Sequence, residues 1–109
     1  MTHDEIYAIL STIDGFAGQV AYREFHVDKN NPPPNLPYIC YLDTSPTTFK
    51  ADDSTFHAEP RYQIELYTET KSPTTEALVE AALNLRHLPW DKSDTYLDDE
   101  KCYQIIYEI

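Results

Sequence analysis

The chain has 109 residues, enough for one domain that buries about two-thirds of its unfolded surface without help from a metal or a disulfide. Its formal charge is −11, from 19 acidic and 8 basic residues, and the basic residues are scattered rather than clustered, which speaks against a surface built to grip a nucleic-acid backbone. Only two glycines occur, Gly15 and Gly18, so neither a dinucleotide-binding G-x-G-x-x-G turn nor a phosphate-cradling P-loop can be assembled.

In chain order, Thr2-x-x-Glu5 has the form of a capping box, in which each side chain satisfies a backbone donor of the other. Ile6, Ile9, Leu10 and Ile13 come next at helical spacing, so the pattern predicts a helix over 3–14 closed by Gly15. The start lacks the basic and then apolar segments of a signal peptide, and no run is apolar enough to cross a bilayer, so an intracellular chain without membrane contact is expected. Residues 19–27 read as a strand, with Val20, Tyr22 and Glu24 on one face and Ala21, Arg23 and Phe25 on the other. Residues 28–37 read as a loop within the domain, because Pro32, Pro33 and Pro34 remove three successive backbone donors.

Tyr38-Ile39-Cys40-Tyr41-Leu42 is a continuous apolar run between Pro37 and Asp43, as expected of a central strand covered on both faces. The polar stretch 44–58 carries turn chemistry at Pro46, Asp52, Asp53 and Ser54, with Phe49 and Phe56 on either side. It predicts a protruding hairpin whose two phenylalanines either fold back on the core or reach a neighbouring subunit. Phe49, Asp52, Asp53 and Phe56 are therefore the candidate subunit-interface residues.

Residues 61–68 alternate Tyr62, Ile64 and Leu66 with Gln63, Glu65 and Tyr67, the cleanest half-buried strand of the chain. Ser72 followed by Pro73 starts a second helix over 74–87. Leu78, Ala81, Ala82 and Leu85 are assigned as its buried stripe, and Thr75, Glu76 and Glu80 as first-turn and exposed residues. Residues 90–97 and 101–109 then pair as a hairpin across Asp98-Asp99-Glu100. In its second strand Tyr103, Ile105, Tyr107 and Ile109 share one face, and Cys102, Gln104, Ile106 and Glu108 the other. The resulting fold class is α+β: one domain over 1–109, an antiparallel or mixed sheet of four to five strands, and two helices on one face.

Reactive chemistry finds little to work with. His3, His26, His57 and His87 lack a nucleophile and an orienting acid at suggestive spacing. Cys40 and Cys102 sit in strand-like runs and read as free, buried thiols. Asp91, Asp94, Asp98, Asp99 and Glu100 lack the spacing and turn glycine of a calcium loop and read as a solvated hairpin tip. No cofactor and no catalytic or metal residue is assigned.

Three segments carry a likeness to a known class of protein: Pro37-Tyr38-Ile39-Cys40-Tyr41-Leu42, the run Arg61-Tyr62-Gln63-Ile64-Glu65-Leu66-Tyr67-Thr68, and Asp99-Glu100 leading into Cys102-Tyr103-Gln104-Ile105-Ile106-Tyr107-Glu108. Together they resemble the small tail-completion, head–tail joining proteins of long-tailed phages and prophages of Gram-positive bacteria, which are similar to tail terminators. The resemblance implies a non-enzymatic structural protein with helices flanking an antiparallel or mixed sheet. It would assemble as a homo-oligomeric ring, a hexamer being common, at the head-proximal end of the tail. Its partners would be its own copies, the tail-tube protein and head-connector proteins, with DNA passing nearby without specific binding. The site of action would be the host cytoplasm during assembly and then the tail or neck of the virion. The Pro32–Pro34 loop looks like a local elaboration. The other reading of the charge is an acidic nucleic-acid mimic that inhibits a DNA-binding enzyme.

Overall fold

The alternation from Tyr62 to Thr68 sorts one strand cleanly between two environments, and the rest of the sheet is laid against it. The computed structural model describes residues 2–25, 27, 29–30, 32, 34–44 and 61–109. The elements are α1 (His3–Ser11), β1 (Val20–Tyr22), β2 (Tyr38–Thr44), β3 (Arg61–Thr68), α2 (Pro73–Leu85), β4 (Asp91–Leu97) and β5 (Cys102–Glu108). They form one mixed sheet in the order β1-β2-β3-β5-β4. Only the β1–β2 pair is parallel; the other three pairs are antiparallel. The α+β class and the two helices on one face hold, and the sheet takes the five-stranded, mixed form.

The register explains the core. Ile39, Tyr41, Tyr62, Ile64, Leu66, Ile105 and Tyr107 fall on one face of the sheet and are buried together with Ile6 and Leu10 of α1 and Val79 and Leu83 of α2. The last residue belongs to this structure: Ile109 and Tyr62 exchange both backbone hydrogen bonds, at 3.0 and 3.4 Å. Half of the expected capping box forms: the Glu5 N–H donates to Thr2 Oγ1 at 3.2 Å, while the Glu5 carboxylate accepts from the Thr2 hydroxyl at 3.3 Å in place of the Thr2 N–H.

Three expectations are corrected. Helix α1 ends at Ser11 rather than at 14, because the Thr12 hydroxyl donates back to the Ile9 carbonyl at 2.8 Å and the Ile13 N–H turns to Leu10 O. Strand β1 covers only Val20–Tyr22 of the predicted 19–27. Arg23 takes a left-handed φ of 66° while its N–H still donates to Tyr41 O, so the chain leaves the sheet there and Glu24 and Phe25 have no place in the ladder.

The third correction is the phase of α2. Leu78 and Leu85, assigned to the buried stripe, are 40% and 75% exposed, whereas Val79 and Leu83 are fully buried and Ala82 packs at the core margin. Two apolar series run side by side on this helix about 100° apart. The series Glu76-Val79-Leu83 faces the sheet because Lys71 and Lys92 receive the Glu76 carboxylate there. Both helix ends are closed as the sequence suggests: Thr75 N–H donates to the Ser72 side chain at 3.3 Å, and His87 turns left-handed at φ 56°.

Candidate functional site

The assigned interface residues Phe49, Asp52, Asp53 and Phe56, with the whole hairpin expected at 44–58, lie outside the described residues. His26 and His57 do so as well. The surface that the described residues do build is the β4 side of the sheet.

Strand β4 is the end of the strand order, and its residues from Asp91 to Tyr96 are all exposed. Which of its backbone groups face outward is set by the ladder. Ile109 and Tyr62 form a hydrogen-bonded pair. Pairs alternate along antiparallel strands, so Tyr103, Ile105 and Tyr107 turn their N–H and C=O toward β3, while Cys102, Gln104, Ile106 and Glu108 turn theirs toward β4. Asp91, Ser93, Thr95 and Leu97 answer them, which leaves the backbone of Lys92, Asp94 and Tyr96 pointing away from the sheet. The same alternation, carried the other way, turns Ile39 and Tyr41 toward β1, where Ile39 N–H donates to Gln19 O and Tyr41 O accepts from Arg23 N–H.

The side chains of Lys92 and Asp94 are held on the helix face. Lys92 Nζ lies 2.6 Å from Glu76 Oε1 and 2.7 Å from Glu80 Oε2. Lys71 Nζ bridges Glu76 Oε2 at 3.0 Å and Asp94 at 2.6 Å. Glu80 also accepts from the Tyr107 hydroxyl at 2.8 Å. Glu76 is 2% exposed; burial alone would push its carboxyl up, but hydrogen bonds from Lys92 and Lys71 outweigh that and hold it below the ordinary glutamate value. Both lysines are raised in return, Lys92 by Glu76 foremost and Lys71 by Asp94 foremost. Sequence reading placed Glu76 and Glu80 on the solvent face and missed this cluster. The available signal was Glu76 in phase with Val79 and Leu83, with lysines nearby on either side in sequence.

The face of the sheet away from the helices is polar and partly buried. Gln63 donates to Glu65 at 2.8 Å, Tyr67 donates to Glu65 at 3.0 Å, and Gln104 donates to Tyr67 at 3.0 Å. At its β2 side Phe25, Val27 and Pro34 stand over Tyr38, Cys40 and Tyr67 and enclose an open cleft of about 450 Å³. The thiol in this cleft is not a nucleophile: burial, then the charges of Glu65 and Glu24, push Cys40 up to about 11. Cys102 is also buried and raised, and both cysteines are free. Two pKa units mean about a hundredfold less thiolate. Labelling of the native protein with a thiol reagent at pH 8 is therefore expected to be at least that much slower at Cys40 than in urea; equal rates would contradict the burial described.

His3 is packed between rings, 4.6 Å from Tyr22 and 5.5 Å from Tyr62, while His87 closes α2. Among the described residues neither is paired with a cysteine or serine. Among the described residues no group of three or more histidine, cysteine or acidic side chains is placed to hold a metal ion, and no helix is long and apolar enough to cross a membrane. Comparison with protein-family models, with curated proteins and with solved structures finds no match.

Proposed function

We propose that this chain is a structural, non-enzymatic morphogenesis protein of a long-tailed phage or prophage, one that completes the tail at its head-proximal end and helps to join tail to head. The observation that carries the reading is the likeness in residues 37–42, 61–68 and 99–108. Those segments supply β2, β3 and β5, the three adjacent central strands of the sheet, so the likeness falls on the framework of the domain. In this reading the chain works as a ring of its own copies, with six as the expected number, between the tail tube and the head connector. It acts in the host cytoplasm during assembly and in the tail or neck of the particle.

Two physical features support it. A ring whose subunits each carry a charge of −11 repels DNA phosphates and lets the duplex pass without sticking. An exposed edge strand such as β4 offers main-chain groups to a different protein of the assembly. The competing idea of a nucleic-acid mimic needs free carboxylates in a row, whereas Glu76, Glu80, Asp94 and Asp43 are engaged by Lys92, Lys71 and Arg23.

The test is to add the purified protein to isolated tails and image them by electron microscopy, with light scattering of the protein alone. Rings in solution or density capping one end of the tube are expected. A strictly monomeric protein at high concentration that leaves tail ends bare would overturn the proposal.

A further inference from the structure

The outward edge of β4 has had its protection removed. Natural edge strands are kept from pairing by charged side chains, lysine above all, that project into the path of an incoming strand. Of the residues whose backbone faces outward, Lys92 and Asp94 are the charged ones, and both are drawn onto the helix face, Lys92 by Glu76 and Glu80 and Asp94 by Lys71. The backbone N–H and C=O groups of Lys92, Asp94 and Tyr96 find no partner on another strand among the described residues. The edge is seven residues long, sufficient for a full strand of main-chain pairing.

Charge decides what fits there. With Lys92 paired to Glu76 and Glu80 and Asp94 paired to Lys71, the exposed charges left around the edge are the acids Asp91, Asp98, Asp99 and Glu100, with Lys101 as a base among them, so the edge stays net negative. A second copy is a poor occupant: the symmetric antiparallel register that uses all three outward residues brings Asp91 of each copy beside the acidic turn at 98–100 of the other, and like charges set so close across a strand pair are destabilising. We infer that the β4 edge is a docking site for an extended segment of another protein that carries lysine or arginine side chains, added as a sixth antiparallel or parallel strand beyond β4. Main-chain hydrogen bonds to Lys92, Asp94 and Tyr96 supply the affinity, and the acids at 91 and 98–100 select a basic strand over an acidic one. The inference does not depend on the tail reading, since it is argued only from the backbone of β4 and the charges around it.

The probe is a capped synthetic heptapeptide that alternates lysine with valine and threonine, titrated into the full chain labelled with nitrogen-15. A peptide with glutamate in place of each lysine serves as the comparison. The amide signals of Lys92, Asp94 and Tyr96 are expected to shift and to gain at least tenfold protection from hydrogen exchange, with the glutamate peptide binding at least tenfold more weakly. Asp94→Pro removes an outward donor while leaving the ladder to β5 whole, and should abolish binding with the circular dichroism spectrum unchanged. Should that variant fail to fold, the triple change Asp91→Asn, Asp98→Asn and Asp99→Asn keeps the backbone and should weaken the lysine peptide at least threefold. Equal affinity for the two peptides, signal changes confined to other surfaces, or self-association of the chain through β4 in place of peptide binding would each overturn the inference.

Discussion

Leu83→Ala should lower the unfolding free energy by about 2–5 kcal/mol, read from the midpoint of urea denaturation, while Leu85→Ala two residues on should change it by less than about 0.5 kcal/mol. Leu83 is fully buried among Ile64, Leu66, Ile105 and Tyr107, and Leu85 is 75% exposed. Shortening Leu83 opens a cavity in a core that is a single contiguous cluster and has little freedom to close it. The pair of variants reads the rotation of α2 directly. Comparable losses, or a larger loss at Leu85, would mean that the helix presents its other apolar series to the sheet.

Glu76→Ala should cost about 3 kcal/mol, the low end of the loss on removing one partner of a buried ion pair. The low end applies because the stranded ends of Lys71 and Lys92 are 39% and 31% exposed and can turn to water. Asp94→Asn, which breaks only the outer arm of the cluster, should shift the urea midpoint far less than Glu76→Ala, since both ends of that arm are open to solvent. The pH dependence separates charge from packing. The Glu76 carboxyl is lower in the folded chain than its ordinary 4.5, so its stabilisation is fully present above that value and fades as pH falls through the folded one. Lys71 and Lys92 are raised above 10.5, so theirs is present below that value and fades as pH rises through the folded ones. Denaturation of the native chain and of Glu76→Gln at several pH values should therefore show a stability gap that is widest between these limits and narrows in acid. A gap independent of pH would assign the Glu76 effect to packing.

The strands were legible wherever one face of the sheet is wet and the other dry. Residues 61–68 announce β3 through strict alternation, and the acids at 98–100 announce the turn between β4 and β5. The phase of α2 was not legible, because Leu78-Ala82-Leu85 and Val79-Leu83 are both apolar series and the choice depends on lysines from the preceding loop and from β4. The early end of β1 left no mark either, since Arg23 in a left-handed conformation is held by a non-local bond to Tyr41. Of the surface, the hairpin itself could be read but not its place: that β5 inserts beside β3 and leaves β4 outermost is a matter of strand order, which local pattern does not encode. The interface expected at Phe49, Asp52, Asp53 and Phe56 lies beyond the described residues, and the surface argued from the structure lies on β4 instead.

The most direct test of a purely architectural role is electron microscopy of particles from a phage or induced prophage whose copy of this chain has been deleted. The account predicts DNA-filled heads beside unattached tails with irregular head-proximal ends, restored to joined virions when the protein is supplied. Normal joined particles in its absence would contradict it.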